Sequence, residues 1–367
     1  MSEDKTRSAQ AQEAEERPTE KHTIYHIAER VGVSPSTVSR ALSGRGYCGE
    51  KTKAKILRVA RELNYAPDSA AKTLKMRQTK KILFAVPDIC NPFYFDMING
   101  INQVLEEHGY LMILFYTKHS LAEELKAIRN LREKVADGMI MVSFHFCEEN
   151  IRAINELKAP VVLTNRYVSA SGRDRFDYVY VDTYAGIRLG TEHLIEQGMQ
   201  SIAYIGGSLG EQTGLQRYCG YRDAMREAGL PVDERLVAES DYTERGGYLA
   251  ALQWLREADR PQGIVAANDL MAIGVMKACE EVGLRIPEDV AVVGMDNLDI
   301  ASRVYPKLTS VALKQEEIGR QAALLLMSRL QGRPVPEREI KLMPHLVVRN
   351  SSMRKVRAPM SEAGAER

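Results

Sequence analysis

The strongest constraint on the fold is an alternation, from residue 81 onward, of short apolar β-type runs with helical stretches. This alternation is typical of βαβ units and therefore of parallel sheets. About 270 residues are too many for one such sheet, and the runs fall into two sets, near 81–165 and 178–296. We therefore expect two similar α/β lobes that face each other across a cleft. The runs are Ile82–Val86, Leu111–Tyr116, Gly138–Val142, Val161–Leu163, Tyr178–Val181, Ile202–Ile205, Ile264–Ala266 and Val290–Val293.

Charge is distributed unevenly along the 367 residues, although the net charge is only +1. Residues 1–22 carry a net charge of −2, whereas residues 23–80 hold 12 basic and 4 acidic side chains, a net charge of +8. The remaining residues, 81–367, carry a net charge of −5. A short basic block joined to a large acidic body is typical of a polyanion-binding module, but charge alone also fits a solvated face. The residue pattern of the basic block has to decide between them.

The basic block predicts three short helices. Apolar residues over 24–31 recur at the spacing of one helix face, with Thr23 as N-cap and Gly32 as the end. Ser34 can cap a second helix that begins at Pro35 and turns Val38 and Leu42 inward. A third helix over about 51–63 completes a small core through Ile56, Val59, Ala60 and Leu63. Two helices joined by a tight turn, on a helical platform, predict a helix-turn-helix headpiece.

The outward face of the second helix has the residues of a DNA-reading surface. With Val38 and Leu42 inside, Pro35, Ser36, Ser39 and Arg40 lie outside near the N-terminus, the end that enters a major groove. An arginine can address guanine through its forked guanidinium, and serine hydroxyls can bind bases or phosphates. The alternative is an all-helical packing module, against which the caps, the turn and the charge together favour DNA binding.

Two stretches resemble a known family. The run TIYHIAERVGVSPSTVSRALSG (23–44) and the run LNYAPDSAAKTLK (63–75) resemble the headpiece and hinge of LacI-type (lactose repressor) bacterial transcriptional regulators. The resemblance covers Thr23 to about Ser351. One departure is His26, where the family usually has an aspartate that completes an N-terminal cap.

The resemblance implies a domain organisation. It implies a tail at 1–22, which its composition marks as disordered, a headpiece at 23–66, a hinge helix and linker at 67–80, an effector-binding and dimerisation domain at 81–351, and a flexible tail at 352–367. It also implies a fold like that of the type I periplasmic sugar-binding proteins, with three crossings between lobes. Lobe one would hold about 81–182 and 314–341, and lobe two about 183–313 and 342–351.

In that family the hinge helix forms when two subunits sit on an operator, and a leucine from each enters the minor groove. By position this leucine is Leu74, flanked by Lys75 and by the small Ala71. An apolar wedge unstacks a base step and bends the duplex, which the extra contacts offset. The predicted DNA contacts are therefore Thr23, Ser34, Pro35, Ser36, Thr37, Ser39, Arg40, Ala71, Leu74 and Lys75.

Polar residues gather after the predicted strands, where a cleft between two α/β lobes would lie. An Asn or Asp in such a place often only caps the next helix, most plainly at Asp269, but the recurrence at strand after strand favours a binding site. The predicted effector contacts, several of them by family position, are Asp88, Asn91, Phe93, Tyr94, Asn165, Arg166, Arg217, Tyr242, Asn268 and Asp296.

Arginine, asparagine and aspartate beside aromatic rings suit a neutral, hydroxyl-rich ligand, so we expect a sugar. A nucleobase stacked on Tyr242 stays open, although Glu211 stands where purine-binding relatives have a basic residue. The predicted protein is a repressor that binds near-palindromic operator DNA. We expect a homodimer rather than a tetramer, because the tail beyond Ser351 contains no leucine with which to continue a leucine heptad.

Other functional classes find little support. The five scattered cysteines have no CxxC spacing, the histidines have no metal-ligand spacing, and no nucleophile motif is present, so we expect no metal, no cofactor and no enzyme activity. No apolar run reaches the length of a membrane span and no export signal precedes the basic block, which indicates a cytoplasmic protein without a membrane partner. A solute-binding protein and a sugar-converting enzyme are the alternatives of other classes.

Overall fold

The computed structural model describes residues 22–44, 46–65, 78–144, 146–167, 176–335 and 337–353. The chain divides into two compact units, with the boundary between Gln78 and Thr79. We call the described residues of the first unit the headpiece and those of the second the body. The predicted hinge contacts Ala71, Leu74 and Lys75 lie outside the described residues, as do the two chain ends 1–21 and 354–367.

The headpiece consists of three helices, α1 (Ile24–Val31), α2 (Pro35–Ser43) and α3 (Glu50–Glu62). All three contribute to one small core, at whose centre Ile27, Val38 and Ile56 are fully buried. Gly32 ends α1 with φ of 77°, a left-handed conformation that glycine adopts without steric cost. On α2 the fully buried partner of Val38 is Ala41, whereas the predicted Leu42 is only half-buried at the edge of this core.

Lobe one of the body is built on a six-stranded sheet in the order β11-β5-β4-β3-β1-β2, in which every pair is parallel. Its first elements are β1 (Lys81–Val86), α4 (Phe93–Glu107), β2 (Leu111–Tyr116), α5 (Leu121–Arg132), β3 (Gly138–Met141), α6 (Glu148–Asn155), β4 (Val161–Leu163) and β5 (Asp177–Val181). Two later elements return to it, α11 (Gln315–Leu330) and β11 (Glu339–Leu342).

Lobe two is built on a second six-stranded sheet in the order β12-β10-β9-β8-β6-β7, parallel except for the β10–β12 pair. Its elements are α7 (Thr183–Glu196), β6 (Ile202–Gly206), α8 (Gln212–Glu227), β7 (Val237–Glu239), α9 (Glu244–Leu255), β8 (Gly263–Ala266), α10 (Asp269–Glu281), β9 (Ala291–Asp296), β10 (Thr309–Ala312) and β12 (His345–Val347). The chain passes between the sheets after β5, after β10 and after β11.

One run lies in a different sheet from the one that its spacing predicts, although the family resemblance implies a lobe one that reaches residue 182. Spacing groups the run at 178–181 with the second set, but β5 belongs to the first sheet, where Tyr178 is in register with Leu163 of β4 and with Glu339 of β11. The long connection that separates β4 from β5 looks in the sequence like a boundary between lobes. The sequence also missed β7, β10, β11 and β12, which are three or four residues long and carry polar side chains within the strand.

Helices α4 and α11 pack unusually closely on lobe one. A Cβ at Gly100 would collide with the carbonyl oxygen of Glu316, and one at Gly319 would collide with that of Met97. The two glycines therefore let the helix that returns from lobe two lie directly against α4, which carries two of the predicted effector contacts.

A single carboxylate fastens the beginning of the body. The Asp137 side chain, just before β3, accepts hydrogen bonds from the Thr79 amide (2.7 Å), the Thr79 hydroxyl (2.9 Å) and the Lys80 amide (2.9 Å). Lys80 has φ of 58°, and its ammonium lies 4.1 Å from the ring centre of Tyr110. The first residues of the body are thus fixed to the middle of sheet one.

Candidate functional site

The N-terminus of α2 presents a polar surface on the headpiece. Ser34 caps the helix by accepting a hydrogen bond from the Thr37 amide (3.2 Å), and the two hydroxyls are 2.9 Å apart. Ser36 and Arg40 are exposed, and Arg40 Nε donates to the Ser36 carbonyl oxygen at 3.3 Å. Pro35, Thr37 and Ser39 are half-buried. A capped helix end with exposed hydroxyls and an arginine has the donors needed to bind bases and phosphates.

His26 takes over the capping role at the start of α1. The Thr23 amide donates a hydrogen bond to His26 Nδ1 at 3.0 Å, in the position where an acidic residue three places into a helix usually accepts. The departure from the family pattern is therefore compensated locally, with an unprotonated imidazole nitrogen as the acceptor.

Two exposed aromatic residues of the headpiece were missed by the sequence interpretation. Tyr25 on α1 is 67% exposed and Tyr47, between α2 and α3, is 90% exposed. Tyr47 lines a surface groove of about 290 Å³ together with Arg40 and Lys53. Aromatic residues inside a basic block are a signal that the sequence contained, since exposed aromatics are uncommon on a surface without a partner.

The body has a cleft with two adjoining compartments. The inner compartment has a volume of about 60 Å³ and the outer one about 440 Å³. Residues of both lobes line each of them, because Thr213 of α8 faces side chains that follow β3 and β4 of lobe one. Five of the ten predicted effector contacts line the cleft: Phe93, Tyr94, Asn165, Arg166 and Arg217.

Arg217 is the most informative residue of the inner compartment. Its side chain is 92% buried, since only 8% of its surface is exposed, and Nη1 donates to the Ala267 carbonyl oxygen at 3.0 Å. Its guanidinium carbon lies 5.4 Å from the centre of the Tyr242 ring. Nε is buried and has no hydrogen-bond partner among the described residues. A buried, charged donor of this kind is costly unless a ligand satisfies it.

Asp296 is a buried carboxyl group whose electrostatic surroundings include this arginine. Burial holds the pKa of Asp296 well above its usual range. The nearby Asp269 carboxylate raises it further, whereas the positive charge of Arg217 lowers it. Burial also raises the pKa of Asp269 to about 7. Asp296 has φ of 114°, a backbone conformation that side-chain-bearing residues rarely adopt and that is a mark of functional sites. Burial and Asp296 likewise raise the pKa of Tyr94.

Asn268 and Asp269 serve mainly to hold other residues in place. Asn268 Oδ1 caps α10 by accepting from the Met271 amide (2.8 Å), and its amide group donates to the Tyr242 carbonyl oxygen (2.8 Å). Asp269 accepts from the Leu298 amide (2.7 Å) and the Ser310 hydroxyl (2.5 Å). Asn268 thereby fixes the backbone of Tyr242, whose ring lies against Arg217.

On lobe one, Arg166 is held by an ion pair. Its Nε donates to Glu339 at 2.9 Å, and Tyr180 donates to the same carboxylate oxygen at 2.6 Å. Its guanidinium carbon also lies 5.5 Å from the Tyr178 ring centre. Asn165 donates to the Ser143 carbonyl oxygen at 3.2 Å. The positive charge of Arg166 is therefore balanced within the protein, which disfavours an anionic ligand at this wall.

Asp88 and Asn91 form turns rather than line the cleft. Asp88 accepts from the Cys90 amide (2.8 Å), and Asn91 accepts from the Phe93 amide (3.0 Å). These contacts shape the chain between β1 and α4 and thereby place Phe93 and Tyr94. Five predicted contacts are not among the lining residues of either compartment: Asp88, Asn91, Tyr242, Asn268 and Asp296.

The sequence interpretation missed much of the cleft wall. Ser143 and Phe144 come two and three residues after the end of β3, so the rule that singled out the polar Asn165 after β4 applies to Ser143 as well. Thr213 and Gln216 precede Arg217 by four residues and by one residue on α8. The further lining residues of the outer compartment that were not predicted are Leu121, Phe146, Cys147, Leu163, Tyr167, Gly210, Glu211 and Gln212.

The described residues contain no cluster of three or more His, Cys, Asp or Glu side chains able to hold a metal ion. Within the same residues no helix has the length and apolarity of a membrane span.

Known protein families match residues in both the headpiece and the body. The family model described as bacterial regulatory proteins, lacI family, matches residues 23–68, and that of a periplasmic binding protein-like domain matches residues 191–352. The HTH-type transcriptional repressor PurR of Vibrio atlanticus is 31% identical over 331 residues, 90% of this chain and 98% of that protein. The chain belongs to the LacI family of bacterial regulatory proteins. The resemblance and the fold class that the sequence predicted are confirmed.

Solved structures show the same LacI-family architecture. The lac repressor dimer bound to operator and the anti-inducer ONPF has a TM-score of 0.81 and 26% identity, covering 91% of this chain and 100% of that chain. A complex of the transcriptional regulator CelR with cellobiose has a TM-score of 0.69 and 31% identity, covering 90% of this chain and 99% of that chain.

Proposed function

We propose that this LacI-family chain is a repressor that binds operator DNA through its headpiece and changes its DNA affinity when a neutral carbohydrate binds in the cleft. The buried, unpartnered Nε of Arg217 carries the ligand part of the proposal. A donor in that position acquires its partner from a ligand, and the binding of that ligand between the lobes favours one lobe arrangement over another.

The headpiece contacts are proposed to be those of α2 and its flanks. Ser36 and Arg40 are exposed beside a capped helix N-terminus, and Tyr47 and Lys53 extend this surface along the groove that Arg40 lines. Exposed basic residues on α3 add phosphate contacts that strengthen binding without selecting sequence: Lys51, Lys55, Arg58 and Arg61. Leu74, flanked by Ala71 and Lys75, remains the proposed minor-groove wedge.

The ligand chemistry favours a neutral sugar. Arg217 and Asn165 provide hydrogen-bond donors for hydroxyls, and Phe93 and Phe144 provide apolar ring surface. Arg166 is already paired with Glu339, so this wall of the cleft offers no unpaired positive charge to a phosphate. CelR has been solved with cellobiose, which is also a neutral sugar.

We propose that two copies of the chain associate through the outer edge of sheet one. β2 is the terminal strand of that sheet, and its sequence LMILFY is wholly apolar apart from the tyrosine hydroxyl. Leu111 is 68% exposed, and Leu114 and Tyr116 are exposed as well. An apolar edge strand is an aggregation hazard unless a partner covers it. A dimer with two headpieces would read a near-palindromic operator in the cytoplasm without any catalytic step.

The test is operator binding by the purified full-length chain. Labelled duplexes that tile the region upstream of its own coding sequence should include one bound at least about 1,000-fold tighter than a scrambled duplex. Arg40→Ala should reduce this ratio by about 10-fold or more, whereas Arg61→Ala, which removes the same charge from α3, should weaken both duplexes equally.

Binding that is equally weak for all duplexes, in the absence and in the presence of each sugar and nucleobase of a thermal-shift panel, would overturn the repressor proposal. A nucleobase that stabilises the protein while no sugar does would overturn the carbohydrate part alone.

A further inference from the structure

The two compartments of the cleft share one wall. Phe144, Asn165, Arg166 and Thr213 line both the inner and the outer compartment. A ligand that contacts these four residues can therefore extend into either compartment. Arg217 lines the inner compartment and not the outer one, whereas Phe146 and Gln212 line only the outer one.

The two compartments differ several-fold in size. One water needs about 10–15 Å³ of such volume, so the inner 60 Å³ corresponds to only about four to six water positions. That is less than the roughly twelve heavy atoms of a hexose require. The outer 440 Å³ corresponds to about thirty water positions and falls within the usual size range of ligand sites. The inner compartment accepts one edge of a sugar, and the outer one has room for more than a single ring.

The outer compartment has the lining of a carbohydrate subsite. Phe146 and Tyr167 contact each other edge to face, with ring centres 5.1 Å apart, and Phe144 completes an aromatic wall. Facing this wall, the start of α8 contributes Gln212 and Thr213. Aromatic rings cover the apolar face of a sugar ring, while amide and hydroxyl groups bind its hydroxyls.

A buried polar network holds this outer wall in place. The fully buried Glu124 accepts hydrogen bonds from the Ser143 hydroxyl (2.8 Å) and from the Asn150 side-chain amide (2.9 Å). Asn150 in turn accepts from the Cys147 amide at 3.1 Å. Ser143 and Cys147 both line the outer compartment, and Ser143 also positions Asn165. A wall whose residues are fixed by a buried carboxylate is preorganised for a ligand.

We propose that the effector is a neutral disaccharide, with one ring edge at Arg217 and the second ring in the outer compartment between Phe146 and Gln212. This inference rests on the proposed function, because it names the ligand of the same cleft. Among the described lining residues of the outer compartment Arg166 alone is positively charged, and its pairing with Glu339 disfavours a phosphorylated second ring.

The experiment is calorimetric titration of the full-length chain with cellobiose, maltose, lactose, trehalose, sucrose and melibiose, and with glucose, galactose and fructose. One disaccharide should bind at least about 10-fold tighter than any of the monosaccharides. Gln212→Trp, which fills the outer compartment, should reduce the affinity for that disaccharide by about 10-fold or more and leave monosaccharide affinity within about twofold. Gln331→Trp, the same substitution at an exposed site after α11, should change neither affinity.

Three outcomes would overturn the disaccharide inference: a monosaccharide that binds as tightly as the best disaccharide, an equal effect of Gln212→Trp on both, and binding of no sugar in the panel. Operator binding is measured separately in the duplex experiment. A chain that binds its operator but prefers a monosaccharide would refute the disaccharide inference and leave the repressor proposal intact. A chain that shows no operator selectivity would refute the repressor proposal.

Discussion

The guanidinium of Arg217 lies 5.4 Å from the centre of the Tyr242 ring, and the Tyr242 backbone is held in a left-handed conformation, with φ of 62°. Asn268 maintains that conformation through its hydrogen bond to the Tyr242 carbonyl oxygen. The arginine is therefore oriented by a ring whose position depends on the cap of α10. Residues that do not line the cleft thus determine where its central donor points.

Arg217→Ala is expected to abolish the carbohydrate response while operator binding persists. Loss of hydrogen bonds from a charged donor costs about 1.5–3 kcal/mol, which corresponds to about 10- to 150-fold in affinity. Calorimetry with the best sugar measures this loss, and operator binding is measured by fluorescence anisotropy. Arg222→Ala, on the same helix and paired with Asp223, is the matched control and should retain sugar affinity. A folded Arg217→Ala protein that no longer binds operator would contradict this division of roles.

The buried carboxyls predict a specific pH dependence of stability. Because burial raises the pKa of Asp269 to about 7 and that of Asp296 well above its usual range, the folded chain binds these protons more tightly than the unfolded chain. Their contribution to the free energy of unfolding therefore falls as pH rises from about 4 towards 7.

Asp296→Asn removes one of these titrations, so its melting temperature relative to the parent should increase steadily between pH 4 and pH 7. Scanning calorimetry at several pH values measures the difference. Asp299→Asn, at an exposed carboxylate, is the matched control. A constant difference for Asp296→Asn would show that the buried pair does not titrate as proposed.

Leu111→Lys and Leu114→Lys should each weaken self-association. Burying a leucine contributes about 1.5–3 kcal/mol, and a two-fold symmetric interface contains each residue twice, so each substitution should raise the dimer dissociation constant by at least about 100-fold. Light scattering coupled to size-exclusion chromatography measures the mass. Leu249→Lys, at an exposed leucine of α9 in lobe two, should leave the mass unchanged. An unchanged mass for both β2 variants would place the interface elsewhere.

Ser34→Ala should destabilise the headpiece by about 1 kcal/mol, because the Thr37 amide loses its capping acceptor. Amide hydrogen exchange of α2 measures this, and faster exchange should accompany weaker operator binding. Ser36→Ala, two residues later and exposed, should leave exchange in α2 unchanged and affect DNA binding alone. Equal exchange rates in the two variants would mean that the Ser34 cap does not hold α2.

The sequence predicted the parts of the fold that follow from local periodicity. The three headpiece helices and the long apolar strands were predicted because each buries one face or both faces in a regular pattern. The spacing of the runs alone placed β5 in the wrong sheet, because its neighbours β4 and β11 are set by long-range pairing, with Glu339 more than 150 residues from Tyr178. Nothing in the local pattern around Tyr178 reports that partner.

The candidate site was predicted in outline for a related reason. Arg217 and Asn165 could be placed because they follow strands or match a family position, whereas the roles of Asn268 and Asp269 depend on contacts with Tyr242, Leu298 and Ser310 that are distant along the chain. The outer compartment escaped prediction because its wall consists largely of aromatic and small residues. Apart from Ser143, which follows β3 as Asn165 follows β4, these residues cannot be told apart in a sequence from ordinary core.

The carboxylate of Asp137 has a mechanical consequence. Because it accepts hydrogen bonds from the amides of Thr79 and Lys80, it joins the chain that enters the body rigidly to the start of β3. A rotation of lobe one therefore carries Thr79 and Lys80 with it. Small movements of β3 can thus be passed to the chain that enters the body, through the hydrogen bonds of one side chain, Asp137.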